Sequence, residues 1–358
     1  MKYDSSPPLP SYSPRSRITS PATEKARLKV RSAWRSLLHL CLLLALVPLF
    51  GCSRPTPPPP ERLTIATPRV IAAALLVIAA QRGLFTAQGL EVTLIPSDTS
   101  PEALSLLSSG KADGATSADM VVAESAFHAR DFRIVAAIDH SDSIRCVART
   151  DRGIRSPADL RGKRLGIIPG TSSEYYADLF LHVNNLTFAD VTPILFGVKD
   201  LKAAFLKGEV DAVVVWSPAA GEIASPPPPT ISWPVQEGYP LIFVLSVSRH
   251  LAEQRPATLE RLVRGLAAAE ELVERDPQGC REILAQWLGV TPAYLAAAWK
   301  DHDFGVYLDR ALMINLEEQA RWFIQRRRVN AATIPNFLEF ITFGPLERVR
   351  PEAATIIR

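Results

Sequence analysis

Short apolar runs alternate with helix-like stretches along most of the chain after residue 61. The runs at 63–66 and 92–95 have the length of buried strands, and the apolar stretch at 70–81, which stops before Gly83, is typical of a helix. Ser100-Pro101 predicts another helix, with Ser100 as the N-cap. Further strands are predicted at 114–116, 134–138 and 144–148, with a helix that Asp119 caps between the first two.

The same alternation begins again near Ser156. Strands are predicted at 165–168, 191–195 and 212–215, and helices at 171–181, 200–207 and after Ser217-Pro218. The apolar run at 241–245 predicts a strand that crosses back to the first unit. From Pro256 onward the pattern is mostly helical.

Alternating strands and helices predict an α/β protein whose parallel sheets are covered by helices on both faces. Because ligands bind at the carboxyl ends of strands in open α/β sheets, two such units can share one ligand cleft between them. We expect the first lobe to comprise 62–147 together with 246–358, and the second lobe to comprise 148–245.

The first 61 residues have a different pattern. Basic side chains lead into an apolar run at 37–50, which Gly51 and Cys52 follow. This order resembles a leader and bacterial lipoprotein signal peptide over 1–51, with Cys52 as the lipidated residue. A run of about fourteen residues is short for a span of about 20, so a single-pass anchor is the less favoured alternative. Residues 52–61 predict an extended Pro-rich tether, and the polar residues 1–29 suggest a true start at Val30.

Charge and cysteine content exclude several classes of protein. Residues 1–51 hold eight Lys/Arg and two Asp/Glu of a chain whose formal net charge is +3, so the remainder is net negative. A nucleic-acid binder would instead present a basic face, and we expect none here. Cys146 and Cys280 lie in distant segments, and we expect two buried free thiols rather than a disulfide. The scattered histidines predict no metal site, and no cofactor is expected.

Three consecutive hydroxyl residues follow a glycine turn between a predicted strand and a predicted helix. These are Thr171, Ser172 and Ser173, directly after Pro169-Gly170. The first turn of a helix offers unpaired N–H groups and a partial positive charge, which suit an oxyanion. Ordinary helix capping is the alternative, although three hydroxyls exceed what a cap requires.

Other candidate ligand contacts also follow predicted strands. Ser117 precedes Asp119, which is more typical of a cap, and Ser141 lies in a polar segment before the second lobe. Arg69 follows the first strand and either pairs with an anion or faces solvent. Trp216 ends a strand and either shields a ligand or packs in the core. No nucleophile with its base and acid emerges from the spacing, which favours a protein that is not an enzyme.

Several stretches, in order and at similar spacing, resemble one family. They are 81–85 (QRGLF), 88–92 (QGLEV), 107–114 (LSSGKADG), 159–175 and 208–213 (GEVDAV). The family comprises the substrate-binding proteins of nitrate, sulfonate and taurine ABC importers, together with binding proteins for thiamine-precursor pyrimidines. The resemblance implies a two-lobed type II periplasmic binding protein fold and places Thr171, Ser172, Ser173 and Trp216 at the cleft. The cysteine-rich motif of the pyrimidine-synthesising relatives is absent.

The resemblance implies a specific function. We expect a monomeric extracytoplasmic lipoprotein, lipid-anchored at the periplasmic or outer face of the cell membrane. It would bind a small anionic, sulfonate-like solute and deliver it to the permease and ATPase of an ABC importer. Two alternatives are a lipoprotein that senses a ligand and signals to a partner, and a protein that binds a thiamine-precursor pyrimidine.

Overall fold

Two mixed β-sheets form the framework of the protein, in a computed structural model that describes residues 59–224, 228–236 and 238–358. Residues Pro59–Arg358 make up one unit. The predicted signal peptide and Cys52 lie outside the described residues, as does most of the predicted tether. Within the described part, no helix is both long and apolar enough to cross a bilayer.

The first sheet has six strands, in the order β11-β4-β10-β3-β1-β2. Strands β1, β2 and β3 run parallel, whereas β10 is antiparallel to both β3 and β4. Their bounds are β1 Glu61–Pro68, β2 Leu90–Ser97, β3 Gly114–Ala118, β4 Phe132–Ser141, β10 Leu241–Ser248 and β11 His302–Asp303.

The second sheet has five strands, in the order β7-β6-β8-β5-β9. Strand β6 is parallel to β7 and β8, and β5 is antiparallel to β8 and β9. Their bounds are β5 Ile144–Arg149, β6 Arg164–Ile167, β7 Thr192–Leu195, β8 Ala212–Trp216 and β9 Thr230–Pro234.

Helices cover both sheets and form most of the chain after Ser248, as the sequence predicts. Those on the first half of the chain are α1 Ala74–Gln81, α2 Leu84–Ala87, α3 Ser100–Ser108, α4 Asp119–Ser125, α5 Ser172–Val183, α6 Val198–Lys207 and α7 Ala219–Ala224. The later ones are α8 Arg249–Gln254, α9 Pro256–Arg275, α10 Pro277–Leu288, α11 Pro292–Ala298, α12 Arg310–Gln325 and α13 Gly344–Val349.

The expectation of purely parallel sheets is wrong. Each sheet contains a strand that arrives from the other sheet, and such a strand pairs antiparallel to its neighbours. The chain enters the second sheet between Ser141 and Ile144 and returns between Pro234 and Leu241. The α/β character and the two-lobed arrangement are confirmed, whereas the expected lobe limits at 147/148 and 245/246 stay a prediction.

The larger of two hydrophobic cores extends over both sheets, since it includes Cys146, Leu165 and Val214 of the second sheet as well as residues of the first. It contains α1, which is buried from Ala74 to Ala79 because the first sheet lies on one side and α9 on the other. A smaller core under the second sheet includes Phe205 and Val213. Cys146 and Cys280 are buried free thiols, which confirms the expectation that they do not pair.

One buried side chain joins the two places where the chain crosses between the sheets. Gln236, which is 1% exposed, lies on the returning crossing. Its Nε2 donates to the Ser141 carbonyl at 2.5 Å, and its Oε1 accepts from the Ile144 N–H at 2.8 Å. The amide therefore satisfies two backbone groups of the outgoing crossing that are cut off from water.

The Gln236→Met variant tests this role. Methionine keeps the length of the side chain but leaves the Ser141 carbonyl and the Ile144 N–H unpaired, at a cost of about 1–3 kcal/mol per group. We expect the free energy of unfolding to fall by about 1–3 kcal/mol for each of the two unpaired groups, as measured by denaturant titration. Gln254, at the end of α8, provides the matched Gln→Met control, and equal stability of the two variants would contradict the role.

Candidate functional site

A cleft lies where the two sheets meet, with about 480 Å³ of space between its walls, part of which is open to solvent. Both sheets and the crossings between them contribute to its walls. The lining residues are Pro68, Val70, Ala72, Thr99, Ser100, Ala118, Val121, Ser143, Thr171, Ser172, Trp216, Ser217, Leu241, Phe243 and His302.

The first turn of α5 presents the predicted hydroxyl cluster, but its three members differ in their bonding. The Thr171 hydroxyl caps the helix, since it accepts from the Ser173 N–H at 3.3 Å and donates to the Ile168 carbonyl at 2.7 Å. Ser173 Oγ accepts from the Ile168 N–H and donates to the Val214 carbonyl. Thr171 and Ser173 therefore hold the turn on the sheet.

Ser172 is the hydroxyl of this cluster that remains available to a ligand. Ser172 lines the cleft and is 3% exposed, and its side chain has no hydrogen-bond partner among the described residues. Thr171 lines the cleft beside it, whereas Ser173 does not. The arrangement combines one hydroxyl with the N–H groups of a helix start, which together suit an oxyanion.

A second helix begins at the same cleft from the side of the first sheet. Thr99 accepts from the Glu102 N–H and is the N-cap of α3, so the prediction that Ser100 is the cap is wrong. The backbone of Thr99 is extended and Ser100 is the first helical residue, which moves the cap back by one position. Ser100 Oγ instead accepts from the Ala118 N–H at 3.1 Å.

The crossing from the first sheet to the second adds further hydroxyls. Ser141 is buried and does not line the cleft itself, but its Oγ lies 3.1 Å from Ser143 Oγ. Ser143 does line the cleft, and its carbonyl accepts from the Ser217 N–H at 3.2 Å. Trp216, directly before Ser217, lies at the cleft and packs against both cores.

Besides Ser141 and Ser173, two further sequence candidates lie outside the lining. Ser117 lies within β3 and not after it as expected, and its hydroxyl is buried without a hydrogen-bond partner among the described residues. Arg69 is exposed, although its neighbours Pro68 and Val70 both line the cleft. Consequently no lysine or arginine is present among the described lining residues.

Asp119 belongs to a buried network behind the cleft. It is the first residue of α4, with Ala118 as the N-cap, so its predicted capping role is wrong. Its carboxylate accepts from the Met120 N–H, from Asn315 Nδ2 at 2.8 Å and from the Ile242 N–H. Burial raises the pKa of Asp119 to about 6, and these hydrogen bonds oppose the shift.

His302 is a cleft residue that the sequence analysis did not identify. Its Nδ1 lies 2.9 Å from Asp139 Oδ2, and the side chains of His302 and Asp139 are 2% and 0% exposed. The two residues are far apart in the chain, and only the pairing of β11 with β4 brings them together. Thr99, Ser100 and Ser217 were also not identified as cleft residues, although Ser217 comes shortly after a predicted strand, whereas Ser143 belongs to the same polar segment as the candidate Ser141.

The chemistry of the cleft is that of binding. Apolar walls such as Val70, Leu241 and Phe243 surround hydroxyl groups and two helix starts. Within the described residues, no group of three His, Cys, Asp or Glu side chains is placed to hold a metal ion. The site therefore suits a small molecule with an apolar part and an oxyanion or other hydrogen-bond acceptor.

Comparison with known families agrees with this geometry. The family model described as NMT1/THI5 like matches residues 71–279, which is more than half of the chain. The chain belongs to the NMT1/THI5-like family. The resemblance noted in the sequence is thereby confirmed, since relatives of this NMT1/THI5-like protein include sulfonate-binding proteins.

Two curated relatives are named as binding proteins. A putative binding protein of Brucella abortus is 26% identical over 175 residues, which are 47% of this chain and 54% of the relative. A putative aliphatic sulfonates-binding protein of Escherichia coli is 27% identical over 153 residues, which are 42% of this chain and 46% of the relative. The chain thus spans about half the length of the curated relatives that it matches.

Solved structures establish the fold. The alkanesulfonate-binding protein SsuA of Xanthomonas axonopodis pv. citri, bound to MOPS, superposes with a TM-score of 0.71 at 22% identity. That match covers 80% of this chain and 99% of SsuA. The desulfurization enzyme DSZB has the same fold, with a TM-score of 0.64 at 17% identity over 82% of this chain and 99% of the enzyme. This NMT1/THI5-like protein therefore has the two-lobed periplasmic binding protein fold.

The Asp119→Asn variant tests the buried network. A carboxyl group whose pKa is raised on folding stabilises the protein below its unfolded pKa of 3.8, and this contribution is lost as the pH rises through about 6. The wild type should lose about 3 kcal/mol relative to Asp119→Asn over that interval. Unfolding midpoints measured against pH, with the exposed Asp131→Asn as control, test this. A constant difference between wild type and Asp119→Asn would contradict it.

Proposed function

We propose that this protein is the extracytoplasmic solute-binding component of an ABC importer. The observation that best supports this proposal is the cleft between the two sheets, where helices α3 and α5 both begin. Two helix starts facing one space from different lobes allow a solute to bind both lobes at once. Such a solute would favour the closed form, because it gains contacts only when the lobes approach.

The polar groups of the cleft support a small anionic solute. The first turn of α5 and the Ser172 hydroxyl offer hydrogen bonds without a fixed cation, which allows reversible binding. A sulfonate presents three acceptor oxygens and suits such a set of donors. The relatives named as sulfonate-binding proteins support the same choice.

The apolar walls support an organic substituent on that anion. Leu241 and Phe243 lie on β10 of the first sheet and Trp216 on β8 of the second, so apolar side chains of both sheets can cover an alkyl or aryl group. Burying each methylene contributes about 0.8 kcal/mol. A sulfonate with a hydrocarbon chain would therefore bind more tightly than an inorganic oxyanion of the same charge.

The remaining parts of the proposal concern location and partners. Cys52 would carry a lipid that holds the protein at the outer face of the cell membrane, with 52–61 as the tether. The closed form would deliver the solute to a permease driven by an ATPase, and the protein would act as a monomer without catalysing a reaction.

A thiamine-precursor pyrimidine is the second candidate solute. The resemblance in sequence to a family that includes binding proteins for such pyrimidines favours it, and Trp216 provides an aromatic surface at the cleft. A pyrimidine would stack on such a ring, whereas a sulfonate would use the helix starts. The two solutes are therefore distinguished by which residues their binding requires.

A thermal-shift panel tests the proposal. It would contain taurine, 1-pentanesulfonate, an aromatic sulfonate, nitrate, bicarbonate and an aminopyrimidine. A solute at 100 times its Kd stabilises the folded state by about 2.7 kcal/mol, which raises the midpoint by several degrees. We expect the largest shift from the sulfonates that carry a hydrocarbon group.

The Ser172→Ala variant then locates the site. Loss of a hydrogen bond to a charged solute costs about 1.5–3 kcal/mol, so the Kd should rise about tenfold or more. Ser105, which is exposed on α3, provides the matched Ser→Ala control. A shift that only the aminopyrimidine produces would replace the sulfonate proposal, and a folded protein that responds to nothing in the panel would overturn both.

A further inference from the structure

The pair formed by His302 and Asp139 leaves two buried polar atoms without partners. Asp139 Oδ1 and His302 Nε2 have no hydrogen-bond partner among the described residues, while Nδ1 and Oδ2 lie 2.9 Å apart. Leaving such atoms unpaired costs free energy, so a buried pair of this kind beside a cleft requires an explanation.

The register of the first sheet places His302 on the wall of the cleft, with Asp139 beside it on the same face of the sheet. His302 is opposite Ser141, and Asp139 is opposite Phe243, so these side chains share one face of the sheet with Leu241. Leu241, Phe243 and His302 all line the cleft. Because Nδ1 faces Asp139 on the sheet, Nε2 lies on the edge of the ring that faces away from it.

The ring of His302 is held in one orientation. Phe304 stacks on it with the ring centroids 5.3 Å apart and the planes 4° apart. When Asp139 is ionised, its carboxylate accepts a hydrogen bond from Nδ1–H, which makes Nδ1 the donor of the ring. Nε2 is thus the remaining polar atom of the ring, and its protonation decides whether it accepts or donates a hydrogen bond.

The balance of charge determines which protonation state of the His302–Asp139 pair an anionic solute favours. Burial raises the pKa of Asp139, and the positive charge that His302 can carry is the largest opposing influence. With a neutral imidazole, an ionised Asp139 has no compensating charge, whereas a protonated imidazole balances it and turns Nε2 into a donor. An anion in a cleft without lysine or arginine would favour the protonated form further.

We propose that His302 is a solute-binding residue whose Nε2–H donates to the anionic head, and that binding draws one proton from solvent onto the His302–Asp139 pair. The proposal rests on the function proposed above and adds the condition under which the solute binds. A sulfonate is too weak a base to bring this proton, so the proton comes from the buffer. Nδ1–H continues to donate to Asp139, which makes Asp139 a positioning residue and counter-ion.

His140 is a second histidine beside the pair. Its buried Nε2 lies 3.6 Å from Asp309 Oδ2 without a hydrogen bond, and its charge also acts on Asp139. An Arg145 guanidinium nitrogen lies 3.0 Å from Asp301 Oδ2, and Asp303 is exposed. Asp119 is the competing explanation for any pH dependence, because its pKa of about 6 lies in the same range and its neighbours Ala118 and Val121 line the cleft.

The test is isothermal titration of the protein with 1-pentanesulfonate between about pH 6 and about pH 8, the range in which histidine titrates. At pH values where the free protein does not hold this proton, the Kd should rise about tenfold per pH unit, because binding takes up one proton. Buffers with different ionisation enthalpies should report the same proton through a change in the observed heat.

Variants distinguish the contribution of His302 to the pH dependence of binding from that of Asp139. In His302→Gln the amide Nε2 still donates but does not titrate, so the Kd should vary by less than about twofold over the same range. Asp139→Asn removes the counter-ion and should move the fall in affinity to lower pH. The double variant contains no buried charge at this position and keeps the test decisive if His302→Gln alone does not fold.

The controls define what would overturn the proposal. His182→Gln, at the exposed end of α5, should keep the wild-type pH profile. A pH profile that persists in His302→Gln but disappears in Asp119→Asn would assign the proton to Asp119 and overturn the proposal. Binding that is independent of pH would overturn it while leaving the proposed function intact, and no binding of 1-pentanesulfonate would overturn it together with the sulfonate assignment.

Discussion

The buried amide of Gln236 is the interaction on which the arrangement of the two lobes depends. It donates to Ser141 and accepts from Ile144, so one side chain fixes the outgoing crossing to the returning one. Only one orientation of an amide satisfies both a carbonyl and an N–H in this way. The two crossing segments are thus held beside each other, and this contact limits how the two sheets can be oriented.

The cleft follows from that constraint. Ser141 and Ser143 lie on the outgoing crossing, Leu241 begins the strand after the returning one, and His302 pairs with Ser141. Farther out, α12 is attached to the second lobe by Trp322 and Arg326, which both bind Asp178 of α5. Ser143 and His302 of the site therefore lie beside the crossings, where movement of one lobe on the other displaces side chains least.

The sequence predicts what depends on local pattern, and it fails where distant segments meet. Strands, helices and the hydroxyl turn at Thr171 follow from periodicity and capping, which operate within a few residues. The bonding of Ser173 depends on Val214 in another strand, and the Asp139–His302 pair depends on a two-residue strand, β11, that has no periodicity to detect. Thr99 differs from Ser100 as a cap only through backbone angles that their similar side chains do not reveal.

The position of β10 has a consequence for how the chain is assembled. This strand lies in the middle of the first sheet, between β3 and β4, yet it follows the whole second sheet in the sequence. Until β10 joins the sheet, β3 and β4 lack the neighbour that lies between them, whereas the second sheet consists of strands from one continuous segment, 144–234. Its contacts are closer in sequence, which favours an order in which the inserted lobe folds first and the flanking segments close around it.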